Sequence, residues 1–357
     1  MNLFKRTVSA LALGAALAAP AALVAPALAP AAMAQDTAEA RFAELMTLYG
    51  VPQGLLAWTA VEETGSGFIA RGIKVDLAGR NLGLSEIPLG DFEVSSYTVE
   101  NGYVTALSGR FSNIKADLAG LMTAGQTLGQ VPAGASLGMG LVMMAGQIQG
   151  LGYQTLDIAM DIDSRLDFAS GTWSQSGSLD IADAFDFDFS SDLANVTPAY
   201  VDWARENGAK MLLDPAAAEA ATAAAMSDPA GPLANIGYSG FAMAFDDTGL
   251  MARLEPQMAL ARQQLLGVNA DGTPKTALSD EDLLAQATAM SAGGGLAPEK
   301  LMPLMKAVYG FVMQPDVIAV SVKADPAITI SDFMSFASGA APAGIDWNSR
   351  ITLEAHN

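Results

Sequence analysis

The sequence has no cysteine and only one histidine, His356, among 357 residues. The absence of cysteine excludes disulfides, thiolate metal sites and a lipid-modified N-terminal cysteine. A single histidine leaves no spare general base of the usual kind. Basic residues are also scarce: 18 Lys and Arg stand against 38 Asp and Glu, a formal charge of -20. Such a chain repels nucleic acid and anionic membrane surfaces, although an acidic balance also serves plain solubility. No phosphate-cradling G-x-x-x-x-G-K-[ST] or strand-linked G-x-G-x-x-G occurs.

Long apolar runs are missing too. The first one is broken by Pro20, Pro26 and Pro30, short of the roughly 20 residues that a spanning helix requires. It reads instead as a cleavable signal peptide over residues 1–34. Lys5 and Arg6 form the positive region, an Ala- and Leu-rich stretch follows from Val8, and Ala32-Met33-Ala34 ends it with a small-x-small cleavage rule. The cut between Ala34 and Gln35 removes two positive charges and no acid, so the expected mature charge is 16 − 38 = -22. A chain rich in alanine and glycine and poor in lysine has the style of a bacterial export, so the expected destination is the periplasm or the medium.

The apolar share, 51%, is enough for a globular core. Asp36 with Glu39 reads as a capping box, and Phe42, Leu45, Met46 and Tyr49 recur at helical spacing until Gly50, which predicts a helix over 37–49. From Phe68 the rhythm is that of short strands, and Asn101-Gly102 between apolar runs predicts a two-residue hairpin. The clearest pattern spans 156–168: Leu156, Ile158, Met160, Ile162, Leu166 and Phe168 at even positions, Asp157, Asp161, Asp163, Arg165 and Asp167 at odd ones. After a turn at Ser170-Gly171, Leu179, Ile181, Phe185, Phe187 and Phe189 continue it against Asp180, Asp186 and Asp188. These are half-buried antiparallel strands with one apolar face.

Between Asp117 and Asp157 there is no charge at all. Pro132 and the flanking glutamines mark the stretch as buried or ligand-facing rather than spanning. Helices are expected after Thr197-Pro198 and Asp214-Pro215, and over 256–266, 279–290, 298–312 and 331–337. Strands are expected on both sides of the turn at 246–249, over 317–323 and over 346–354. The fold class is therefore α+β: a long antiparallel β-sheet, long enough to curve, with helices inserted mainly in the C-terminal half. Residues 35–195 carry the N-terminal helix and sheet, and 196–357 form a helix-rich part whose strands complete one continuous domain.

Candidate chemistry is thin. Gly134-Ala135-Ser136-Leu137-Gly138 matches the G-x-S-x-G nucleophile elbow, with His356 downstream. The elbow needs a buried parallel strand before the serine, and residues 126–133 are polar and carry Pro132, so the serine hydrolase is a minor alternative. Asp157, Asp161, Asp163 and Asp167 have the i, i+2 spacing of a solvated strand face, and neither they nor Asn269-Ala270-Asp271-Gly272 supply an EF-hand ligand set. The methionines sit at core positions away from histidine, so copper is not implied. Alternating strands also suggest an outer-membrane barrel, which the helical second half argues against. No catalytic residue, metal or cofactor is expected.

Strands of this kind behind a signal resemble exported bacterial envelope proteins of the AsmA-like type, chiefly over residues 90–195, with no functional residue carried over. The resemblance implies a non-enzymatic envelope protein binding a lipid or other apolar ligand along its sheet. The lining would come from Leu156, Ile158, Met160, Ile162, Phe185, Phe187, Phe189, Met143 and Met144. The alternative is a structural or protein-interaction module with a sealed core, meeting other envelope proteins through its acidic surface.

Overall fold

The computed structural model describes residues 37–76, 86–129, 135–213, 215–228, 231–233, 235–269, 271, 273, 275–291, 296–329, 332 and 346–357. The signal segment with Ala34 and Gln35, the cap residues Asp36 and Asp214, Gly134 of the serine motif, and nearly all of the helix expected over 331–337 lie outside these residues. The fold is α+β, with eleven strands in antiparallel pairings. Seven of the ten helices among the described residues begin after residue 197. The described elements divide into two compact units.

In the first unit the strands run β1 (Leu56–Ala57), β2 (Ala60–Glu63), β3 (Phe68–Asp76), β4 (Glu86–Glu100), β5 (Tyr103–Asp117), β6 (Thr155–Asp167) and β7 (Thr172–Ile181). β3 to β7 pair in sequence order, and β1 and β2 both pair with β3. Its helices are α1 (Ala38–Tyr49), α2 (Leu118–Gly129), α3 (Ala135–Gly150), α4 (Pro198–Leu213) and α5 (Pro215–Ser227). Helix α1 starts where the sequence predicts, but its cap is Thr37, whose side chain accepts from the Ala40 amide at 3.2 Å. Phe42 and Leu45, both fully buried, press the helix onto Phe68, Phe92, Val94 and Leu107. Phe42 stands edge-on to Trp58 at 5.0 Å and to Phe68 at 6.0 Å.

The hairpin at Asn101-Gly102 forms as expected, with φ of 53° and 80°, both in the left-handed region that a primed two-residue turn requires. Its strands are not short: each is 15 residues long. The expected short-strand rhythm arises because bulges interrupt the alternation without ending the strands. Asp91 on β4 holds two of these bulges. It accepts from the Gly72 amide in β3 at 2.9 Å and from Asn113 Nδ2 in β5 at 2.8 Å, and both donors have positive φ. Burial pushes the Asp91 carboxyl up, but these bonds and Arg71 together hold it below its ordinary range.

In the second unit β8 (Phe185–Ala194), β9 (Gly237–Asp247), β10 (Val317–Thr329) and β11 (Ile351–His356) pair in sequence order. Its helices are α6 (Leu250–Arg253), α7 (Glu255–Leu266), α8 (Asp280–Ser291), α9 (Pro298–Met313) and α10 (Trp347–Arg350). The strand expected after the turn at 246–249 is instead the single helical turn α6, because Asp247 Oδ1 accepts from the amides of Gly249 and Met251 and so caps a turn. The closing strand likewise starts later than expected. Asp346 caps α10, accepting from the Asn348 amide at 3.0 Å, and β11 begins only at Ile351. Leu301 and Met305 of α9 pack with Leu283 and Ala287 of α8.

Candidate functional site

Register decides what the alternating strands present. In the first unit Met160 lies opposite Phe111 and Leu179, Ile158 opposite Ile114 and Ile181, and Ile162 opposite Gly109 and Gly177. Residues directly opposite in antiparallel strands point to the same face, so this is one apolar surface. Leu156 and Leu166 are buried at its ends, while Ile158, Met160 and Ile162 between them are half-buried. The other face is a polar ladder. Arg110 Nη1 meets Asp161 at 2.7 Å, Lys115 meets Asp157 at 4.0 Å, and Ser108 donates to Asp163. The aspartates that invite a calcium reading are thus partly neutralised by cross-strand partners. Among the described residues no group of three or more His, Asp or Glu side chains is arranged to hold a metal ion.

The second unit repeats the arrangement with larger side chains. Phe187 pairs with Phe245, which on its other side pairs with Ile318; Phe189 pairs with Met243, which pairs with Val320; and Phe241 pairs with Val322, which in turn faces Leu353. Exposure rises along these rows. Phe187 and Phe245 are each 5% exposed, with Phe311 of α9 standing edge-on to Phe245 at 5.6 Å. Phe189, Met243 and Val320 are half-buried, and Phe241 is 37% exposed. Of the residues expected from sequence, Phe187 is core, whereas Phe185 and Phe189 are half-buried. Phe241, Met243, Val320 and Val322 belong to the same face. They alternate along recognisable strands, but only the pairing register assembles them beside Phe189.

Met143 and Met144 lie on α3, which forms a hairpin with α2. Met144 is half-buried, Met143 is 58% exposed and Met139 is 66% exposed. Ser136 falls in the first turn of α3, and the described element before it is helix α2 rather than the strand a nucleophile elbow uses. His356 is the last paired residue of β11, opposite Ala319.

The strongest electrostatic cluster sits where α4 meets the β4–β5 turn. Arg205, 5% exposed, donates to the Gly102 carbonyl at 2.8 Å, and its guanidinium lies 4.4 Å from the centre of the Tyr103 ring. Tyr103 in turn donates to Asp202 at 3.1 Å. Burial lowers the Arg205 pKa, and burial raises that of Tyr49, which the Arg205 charge partly opposes. Every charged member has a partner, so the cluster reads as an anchor for α4 rather than as a reacting centre. Among the described residues no helix is long and apolar enough to cross a membrane. No protein-family model matches the chain, and a comparison with curated proteins finds no match.

Proposed function

We propose that the protein is an exported, non-enzymatic envelope protein that holds a lipid or other long apolar molecule along its sheet. The observation that carries this is the graded exposure of the β8–β9–β10 face, from 5% at Phe187 and Phe245 to 37% at Phe241. A sheet folded only for stability buries such rows against its own helices. Here helix α9 reaches the first row through Phe311, and the Phe189, Met243 and Val320 row beyond it stays half-open. Methionine and phenylalanine suit a ligand of variable apolar shape. The half-buried Ile158, Met160 and Ile162 give the first unit a second surface of the same character. Export rests on Lys5, Arg6 and the Ala32-Met33-Ala34 site, and sequencing the N-terminus of the secreted protein should read from Gln35.

The alternative is a structural or protein-interaction module, favoured by the closure of the Phe187 and Phe245 end. One experiment separates the two. The purified protein is extracted for mass spectrometry of bound lipids and titrated with a fluorescent long-chain fatty acid. Co-purified lipid and saturable binding, weakened at least tenfold by Phe241→Glu, support the binding reading. A lipid-free protein that ignores the probe overturns it in favour of the module.

A further inference from the structure

The α2–α3 hairpin has a solvent face of unusual chemistry. No charged residue occurs between Asp117 and Asp157, and the exposed positions of the two helices include Thr123, Gln126, Met139, Met143 and Gln147. Water-facing helix surfaces ordinarily carry charge, and the rest of this chain has plenty. The two helices pack on each other, and the residues they bury are small: Ala124 and Gly125 on α2 and Ala145 on α3. Close approach through small side chains leaves the larger Met139 and Met143 pointing outward.

We infer that this hairpin docks flat on an electrically neutral lipid surface, of zwitterionic head groups, with Met139 and Met143 entering the boundary between head groups and acyl chains. Charge and area select this occupant. The chain carries -20 overall, so an anionic membrane repels it and so does a second copy, and the uncharged hairpin is the part that a neutral surface accepts without counterions. Helix α3 has 16 residues, hence a length of roughly 24 Å, and two helices side by side are about 20 Å broad. That footprint is roughly 500 Å² a side, or about 1,000 Å² for two copies, below the 1,200 Å² or so at which stable protein interfaces begin. A lipid surface needs neither that area nor shape complementarity, only apolar side chains presented on a plane. The inference is separate from the sheet reading, since it uses α2 and α3 and none of β8 to β10.

The test is flotation of the purified secreted protein with phosphatidylcholine vesicles, beside Met139→Glu/Met143→Glu and, as a control, Leu260→Glu, at a 47% exposed site on α7. The protein and the control variant should float equally, and salt up to about 0.5 M should not release them. The double variant, with an unchanged melting curve, should lose at least tenfold in partitioning. Absence of flotation, flotation that requires anionic lipid, or undiminished flotation of the double variant overturns the inference. A dimer seen by light scattering without lipid, and abolished by the double variant, would overturn it in favour of self-association.

Discussion

Replacing Arg205 by alanine is expected to destabilise the first unit by about 3 kcal/mol. A cation over an aromatic face away from water contributes up to about 2 kcal/mol, and Arg205 is 5% exposed with its guanidinium 4.4 Å from the Tyr103 ring centre. A charged donor to a backbone carbonyl adds about 1.5 kcal/mol, here the 2.8 Å bond to Gly102. The ion pair with Asp202, at 3.6 Å and with the aspartate 52% exposed, adds little. Against these stands the cost of desolvating the guanidinium, visible in its lowered pKa, which trims the sum. For a unit of this size, about 3 kcal/mol lowers the melting temperature by roughly 6–12 °C. Near-UV circular dichroism of Trp173, Tyr200 and Trp203, which are clustered on and beside α4, would follow the transition. A double-mutant cycle with Tyr103→Leu should give a coupling of about 1–2 kcal/mol. Arg205→Lys should recover about half of the loss, because a lysine keeps the charge but lacks the planar fork. A melting point within about 1 °C of the parent for Arg205→Ala, or zero coupling with Tyr103, would refute the argument.

Other perturbations have equally definite outcomes. Gly90→Ala should cost at least about 3 kcal/mol in chemical denaturation, since φ is +72° and the new Cβ would lie 2.1 Å from the Ser112 carbonyl oxygen. Phe311→Ala removes a 7% exposed ring from above Phe245 and should lower the stability of the second unit by about 3–5 kcal/mol, read from its thermal transition. Asp282 caps α8 through the Ser279 amide, and the hydrogen bond from Lys275, with help from Ser279, lowers its pKa from 3.8 to about 2. A depressed carboxylate pKa stabilises above the unfolded value and is lost as pH falls through the folded one, so α8 should fray between about pH 4 and pH 2 in an NMR titration of its amides and remain capped above that range.

Local signals made much of this fold legible in advance. Period-two alternation in 156–168, the Asn-Gly turn and the proline-opened helices each depend on neighbours a few residues away, and all form. For the α2–α3 hairpin the sequence marks only a buried or ligand-facing stretch and does not announce the two helices. Gly125, Gly129, Gly138, Gly140, Gly146 and Gly150 depress helix propensity throughout it, and the two helices are fixed by packing on each other rather than by their own sequence. The candidate site was half legible for a similar reason. Phe185, Phe187 and Phe189 announce themselves on one strand, but Val320 joins them from more than 130 residues away through a register that no local pattern encodes.

The carboxylate of Asp91 binds the fate of three strands together. Its oxygens have their full set of partners, Arg71 included, only when the Gly72 bulge of β3 and the Asn113 bulge of β5 are both in place on either side of β4. Peeling away either outer strand takes hydrogen bonds from a carboxylate whose side chain is 13% exposed, so neither opens by itself at low cost. In native-state hydrogen exchange, the central amides of β3, β4 and β5 should therefore lose protection in one cooperative step. The bulges that look like flaws in the pleat act as the latch that makes the three strands a single opening unit.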